Sequence, residues 1–126
     1  MREILFRGKD VSGNWHYGVP LTITDDCVCI TALHTHNKTV IPSTVGQYTG
    51  LLDKNDKKIF EGDIVKSCEY DDVFFIKYFD TDNYPAFDCV PDVPLCECNG
   101  LAFLVNEEGC EVIGNIHDNP ELLKGE

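Results

Sequence analysis

Three pairs of metal-ligating residues stand out in this sequence. In each pair one residue separates the two members: Cys27 and Cys29, His34 and His36, and Cys96 and Cys98. On a strand this spacing puts both side chains on one face, and Cys and His are the usual ligands of zinc. The common zinc knuckle has two residues between its cysteines, and cysteines at alternate strand positions also pack as small apolar side chains. We therefore assign no metal ligand and no cofactor, and we keep a Cys/His metal-binding protein as an alternative.

Two acidic segments begin like calcium-binding loops. They start at Asp53-Lys54-Asn55 and at Asp80-Thr81-Asp82. Lys57 and Tyr84 then stand where a further oxygen ligand belongs, and the glycine that such loops need does not follow. The sequence therefore predicts solvated turns at both places.

Histidines and cysteines could also act as bases and nucleophiles. The candidate bases are His16, His34, His36 and His117, and the candidate nucleophiles are the seven cysteines. Neither a Gly-x-Ser-x-Gly elbow nor a glycine-rich phosphate loop occurs in the chain. Nothing in the local sequence pairs a base with a nucleophile, so we assign no catalytic residue. We expect a protein that is not an enzyme, with a small hydrolase-like enzyme as an alternative.

Aromatic residues offer a further kind of site. Trp15, Tyr17, Tyr48 and Phe60 could form a surface for a protein partner. In a chain of 126 residues most aromatic side chains belong to the core, which is the other interpretation. The sequence does not decide between them, and the binding residues stay unknown at this point.

The charge distribution argues against several kinds of partner. The net charge is −12, and residues 78–123 carry ten acidic residues with no Lys or Arg. Such a field disfavours a nucleic-acid backbone and anionic membrane surfaces. Apolar runs such as residues 73–76 have the length of a strand rather than a membrane span. With no signal-peptide pattern at the N-terminus and an odd number of cysteines, we expect a cytoplasmic protein.

The elements that must position these residues are short strands. Runs rich in β-branched and aromatic residues alternate with Gly, Pro, Asn and Asp. We predict a mainly β fold, a small barrel or sandwich, with an SH3-like barrel element in the second half and a short C-terminal helical turn. Residues 1–126 are expected to form one domain, with an N-terminal lobe at 1–45 and a barrel-like lobe at 46–126.

Particular elements follow from the same pattern. The predicted strands lie at residues 4–6, 15–23, 27–31, 39–41, 47–51, 58–60, 64–66, 73–79, 101–105 and 111–116. A turn is expected at Asp25-Asp26, and Asn55-Asp56 should form a hairpin tip that needs positive φ. Residues 80–99 are expected to be a long loop, and residues 106–109 to join the last two strands as a hairpin. Residues 119–123 read as a helix start, with Asn119 as the N-cap before Pro120.

Three segments together resemble the YopX family of phage and prophage proteins. They are residues 1–10, with Met1-Arg2-Glu3-Ile4 and Phe6-Arg7; residues 47–65, with Gln47-Tyr48-Thr49-Gly50-Leu51 and Ile59-Phe60-Glu61-Gly62-Asp63-Ile64-Val65; and residues 113–123, with Ile113-Gly114-Asn115-Ile116 and Asn119-Pro120-Glu121-Leu122-Leu123. The chain departs from the family at its hairpin tip, where members usually carry Asn-Gly, and in its cysteine-rich segment 89–98.

The resemblance implies a phage or prophage origin, a bacterial host cell and a β-rich fold, and it carries no activity and no site residue across to this chain. The matching residues have structural roles of their own. We expect Gly50 and Gly62 to serve backbone geometry, and Glu61 and Asp63 to cap the turn between them. The function we predict is that of an accessory protein that binds a host or phage protein, without nucleic acid or membrane, while a homo-oligomer stays open.

Overall fold

The chain divides into two compact units, residues 1–50 and residues 51–126. The structure, a computed structural model, describes residues 4–24, 27–31, 37–81, 84–91 and 99–123. Most regular structure in these ranges is antiparallel strand, which confirms the mainly β prediction. The predicted turn at residues 25–26 lies outside the described residues.

The first unit is an antiparallel sheet with strand order β4-β3-β2-β1-β5. Its elements are β1 (Phe6–Lys9), β2 (Trp15–Thr24), β3 (Cys27–Thr31), β4 (Lys38–Val40), a 3₁₀ turn (Pro42–Thr44) and β5 (Gly46–Leu52), which runs on into the second unit. The predicted first strand at residues 4–6 is wrong by several positions: β1 begins at Phe6, and Ile4 is 61% exposed. The strand pairs with β2 from Phe6↔Gly18 to Lys9↔Trp15, because the turn at residues 10–14 closes directly after Lys9.

This sheet is rolled, since the chain after β4 returns to β1. The Ile41 amide donates to the Lys9 carbonyl at 2.8 Å, and the Lys9 amide donates to the Thr44 hydroxyl at 2.9 Å. Val40 then lies against Gly8, where a Cβ atom would sit 2.7 Å from the Val40 Cγ2 methyl. Glycine is needed at position 8 because two strands approach each other too closely for any side chain.

The second unit contains β6, which follows β5 in the strand order, and a four-stranded antiparallel sheet with order β10-β7-β8-β9. Its elements are β6 (Lys58–Phe60), β7 (Asp63–Ser67), β8 (Val73–Thr81), β9 (Tyr84–Val90), α1 (Gly100–Phe103), a π-helical turn (Leu104–Glu108), β10 (Cys110–Asn115) and a 3₁₀ turn (Pro120–Leu123). The short C-terminal helical turn is therefore confirmed. The likeness to an SH3 barrel and the single-domain assignment stay predictions.

Two predictions for this unit are wrong. Residues 101–105 were expected as a strand of the last hairpin, but α1 and the π-helical turn occupy residues 100–108. The Asn99 side chain accepts the Ala102 amide as an N-cap, and Leu101 and Leu104, one helical turn apart, are fully buried. Most of the predicted loop at 80–99 that is described is strand: β8 runs to Thr81, and β9 forms the sheet edge, where a strand tolerates Pro85.

The core of the second unit joins its sheet to its helical segment. Eight buried residues form one cluster: Ile59, Val65, Phe74, Ile76, Cys89, Leu101, Leu104 and Cys110. Full burial of a side chain such as Ile59 or Leu104 contributes about 1.5–3 kcal/mol. The helical segment and the sheet therefore stabilise each other.

Local geometry explains the turn at Gly62 and the hairpin tip of this unit. Gly62 has φ +91°, its amide donates to the Ile76 carbonyl at 2.8 Å, and its carbonyl accepts the Ile116 amide at 2.9 Å. The Asp63 carboxylate accepts the Phe60 amide at 2.7 Å, as expected of a turn cap. At the hairpin tip Asp56 has φ +64°, which confirms the predicted positive-φ position.

Candidate functional site

Among the described residues, β2 carries a row of exposed apolar side chains. Tyr17, Val19 and Leu21 occupy alternate positions of the strand, so they project from one face of the sheet. Each is about half exposed, at 47%, 54% and 50% of its maximal area. We call these three residues the β2 stripe.

The neighbouring strands define the borders of the β2 stripe. Directly opposite its members lie Arg7 on β1 and, on β3, Thr31 and Cys29. Arg7 and Cys29 are buried, and Thr31 is exposed. In this part of the sheet the stripe is therefore one strand wide, and its neighbours carry no acidic group.

Arg7 and Trp15 hold the strand pair beside the stripe. The Arg7 guanidinium carbon lies 4.6 Å from the centre of the Trp15 ring, which is a cation–π contact. Arg7 is only 7% exposed, so the contact is well shielded from water and stronger than a surface one. It fixes β1 against β2 at the end where the stripe begins.

The structure separates the four aromatic residues proposed as a binding surface. Tyr48 and Phe60 are buried, Trp15 is half-buried, and Tyr17 alone of the four is exposed. Sequence reasoning missed Val19 and Leu21. A signal was present, since residues 17–21 alternate large apolar side chains with Gly18 and Pro20, but alternation does not say which face is covered.

Asp10 and His16 form a charged pair in the β1–β2 turn. The Asp10 Oδ2 atom lies 2.8 Å from His16 Nε2, while its Oδ1 atom accepts the Ser12 and Asn14 amides at 2.9 Å each. The bond to His16 and that to the Asn14 amide lower the pKa of Asp10 to about 2. The Asp10 carboxylate orients the His16 imidazole, as the aspartate of a hydrolytic triad does. Its bonds to the Ser12 and Asn14 amides, however, close the β1–β2 turn.

Of the other candidate bases, His117 packs against backbone. Its Nε2 atom lies 3.5 Å from the place that a Cβ of Gly62 would take, and its amide donates to Asn115 Oδ1 at 3.0 Å. The position serves the contact between β10 and the turn before β7. His34 and His36 lie outside the described residues.

The described cysteines are dispersed through the structure. Cys27 and Cys29 share a face of β3 as their spacing predicts, with Cys29 Sγ 3.7 Å from Thr39 Oγ1. Cys89 and Cys110 belong to the core of the second unit, and Cys68 is exposed. Cys96 and Cys98 fall outside the part of the chain that is described. Within that part, no group of three or more His, Cys, Asp or Glu residues is arranged to hold a metal ion.

Cys110 is a poor nucleophile in its setting. Burial, and next the charge of Asp53, raise the pKa of its thiol to about 11. At neutral pH the thiol is therefore protonated and unreactive. Cys68 stands one residue beyond Ser67, the register partner of Cys110, and donates its amide to the Gly109 carbonyl at 3.0 Å.

Asp53, the first residue of one candidate calcium loop, uses its carboxylate within the protein. Its Oδ1 atom accepts the Asn55 and Lys57 amides at 2.8 and 2.9 Å, and its Oδ2 atom accepts the Val112 amide at 2.9 Å. Asp53 therefore joins the hairpin to β10. The side chains of the other candidate loop, at residues 80–82, lie outside the described part of the structure.

Both edges of the four-stranded sheet are also engaged. On β10 the Cys110 carbonyl accepts the Lys54 amide at 2.9 Å, next to the Asp53–Val112 bond. On β9 the Phe87 carbonyl accepts Asn99 Nδ2 at 2.8 Å, and Asp88 accepts the Leu101 amide at 3.1 Å. The bonds made by the Cys110 and Phe87 carbonyls and by the Val112 amide occupy backbone groups that an added strand from a partner would need.

The fold and this surface define a small antiparallel β protein with three half-exposed apolar side chains on one face of β2. A model of the YopX protein family matches residues 9–124, and the chain belongs to the YopX family. Among solved structures it is similar to the crystal structure of protein EF1440 from Enterococcus faecalis, with 26% identity and a TM-score of 0.64 over 98% of this chain and 99% of that one. No curated protein matches the chain. In the described ranges, no helix is long and apolar enough to cross a membrane.

Proposed function

We propose that this protein is a phage or prophage accessory protein that acts without catalysis, by binding another protein in the cytoplasm of a bacterial host. Membership of the YopX family supports the origin. The observation that carries the binding function is the β2 stripe, Tyr17, Val19 and Leu21. Single exposed apolar residues are ordinary, whereas a contiguous row on one face is typical of an interaction surface.

The position of the stripe in the sheet favours side-chain recognition. β2 pairs with β1 over residues 15–18 and with β3 over residues 19–24, so each part of the strand has one paired neighbour. The side chains of the stripe project from the face of this sheet, where a partner would contact them. Tyrosine is enriched at interfaces because it combines a large apolar ring with a polar hydroxyl.

The charge supports a protein partner rather than nucleic acid. Residues 1–50 carry four Lys or Arg and four Asp or Glu, whereas residues 51–126 carry six and eighteen. The whole net charge of −12 thus belongs to the second unit, and the unit that bears the stripe is neutral. Neither unit has the excess of cations that binding a phosphate backbone requires.

The test is affinity capture from phage-infected or lysogenic host cells with three baits: the wild type, Val19→Lys and Val11→Lys. Val11 is the matched control, since it receives the same charge in the same unit, is 91% exposed and lies in the β1–β2 turn away from the stripe. We expect a protein that the wild type and Val11→Lys retain and Val19→Lys loses. A set of captured proteins identical for all three baits would contradict the proposal.

A further inference from the structure

We draw no further inference here: the strongest candidate, the exposed apolar face of β2 formed by Tyr17, Val19 and Leu21, belongs to the binding surface already proposed, and nothing in the described residues shows what covers it.

Discussion

Substituting Asp53 by Asn tests how the hairpin between β5 and β6 is tied to β10. The carboxylate accepts the Asn55 and Lys57 amides through Oδ1 and the Val112 amide through Oδ2. An asparagine keeps one carbonyl oxygen, which suffices for the two bonds within the hairpin. Its Nδ2 group, however, takes the place of Oδ2, and both Nδ2 and the Val112 amide are hydrogen-bond donors. The Val112 amide therefore loses its acceptor.

The expected loss of stability follows from the exposure of the three amide donors. Asn55 and Lys57 are exposed, so their amides can bond to water, whereas Val112 is half-buried and Asp53 is 6% exposed. A buried donor left without an acceptor costs about 1–3 kcal/mol, and the bond to a charged group is lost as well. We expect Asp53→Asn to lower the free energy of unfolding by about 2 kcal/mol, which corresponds to a Tm lower by roughly 5–8 °C.

Urea and thermal unfolding followed by circular dichroism measure this loss. The control is Asp56→Asn on the same hairpin, where φ is +64° and the side chain is exposed. Asparagine tolerates this conformation, so the control should stay within about 0.5 kcal/mol of the wild type. If Asp53→Asn matches Asp56→Asn in stability, the assignment of Asp53 as a tie between hairpin and strand is wrong.

The pH dependence gives a second check on Asp53. Burial raises the pKa of its carboxyl, but the Val112, Lys57 and Asn55 amides together outweigh burial, and the pKa lies below the ordinary value of 3.8. A lowered folded-state pKa stabilises the protein above the unfolded-state pKa, and this contribution disappears as pH falls through the folded-state value. The difference between wild type and Asp53→Asn should therefore shrink below about pH 4. A difference that stays constant into acid would refute the explanation.

Two further predictions concern packing and reactivity. Gly8→Ala should lower the free energy of unfolding by about 1–3 kcal/mol in urea titrations, because the added Cβ would lie 2.7 Å from Val40 Cγ2. An equal loss in a Val40→Ala background would show that this contact is not the cause. In thiol titrations of the folded protein, Cys68→Ser should remove one fast-reacting equivalent and Cys110→Ser none, since Cys68 is exposed while Cys110 is buried with its thiol pKa raised to about 11. A fast-reacting Cys110 would contradict its placement in the core.

Much of the strand pattern could be predicted because the sequence carries local signals for it. The strands at residues 15–24, 27–31 and 58–60 agree with the prediction to within one residue. The Asn55-Asp56 tip and the Asn119-Pro120 helix start are determined by backbone preferences of those residue types. In these places the local preference and the fold agree.

The segment at residues 100–108 shows where local signals fail. An apolar run such as Leu101–Val105 is equally compatible with a buried strand and with a short buried helix. The Asn99 cap and the spacing of Leu101 and Leu104 favoured the helix, but their effect depends on a core that buries both leucines. Pro85 made the strand β9 hard to predict, because proline disfavours strands. It is tolerated here because β9 lies at a sheet edge.

The candidate site, too, could be predicted only in part from the sequence. From the sequence alone came the charge asymmetry, the strand at residues 15–23 and the family resemblance, because each depends only on which residues occur and in what order. Tertiary structure decided that Tyr48 and Phe60 are buried while Tyr17, Val19 and Leu21 are exposed. It also brought Asp53 to Val112, 59 residues apart. Period-two alternation identifies the two faces of a strand, but only the packing of distant segments determines which face water reaches.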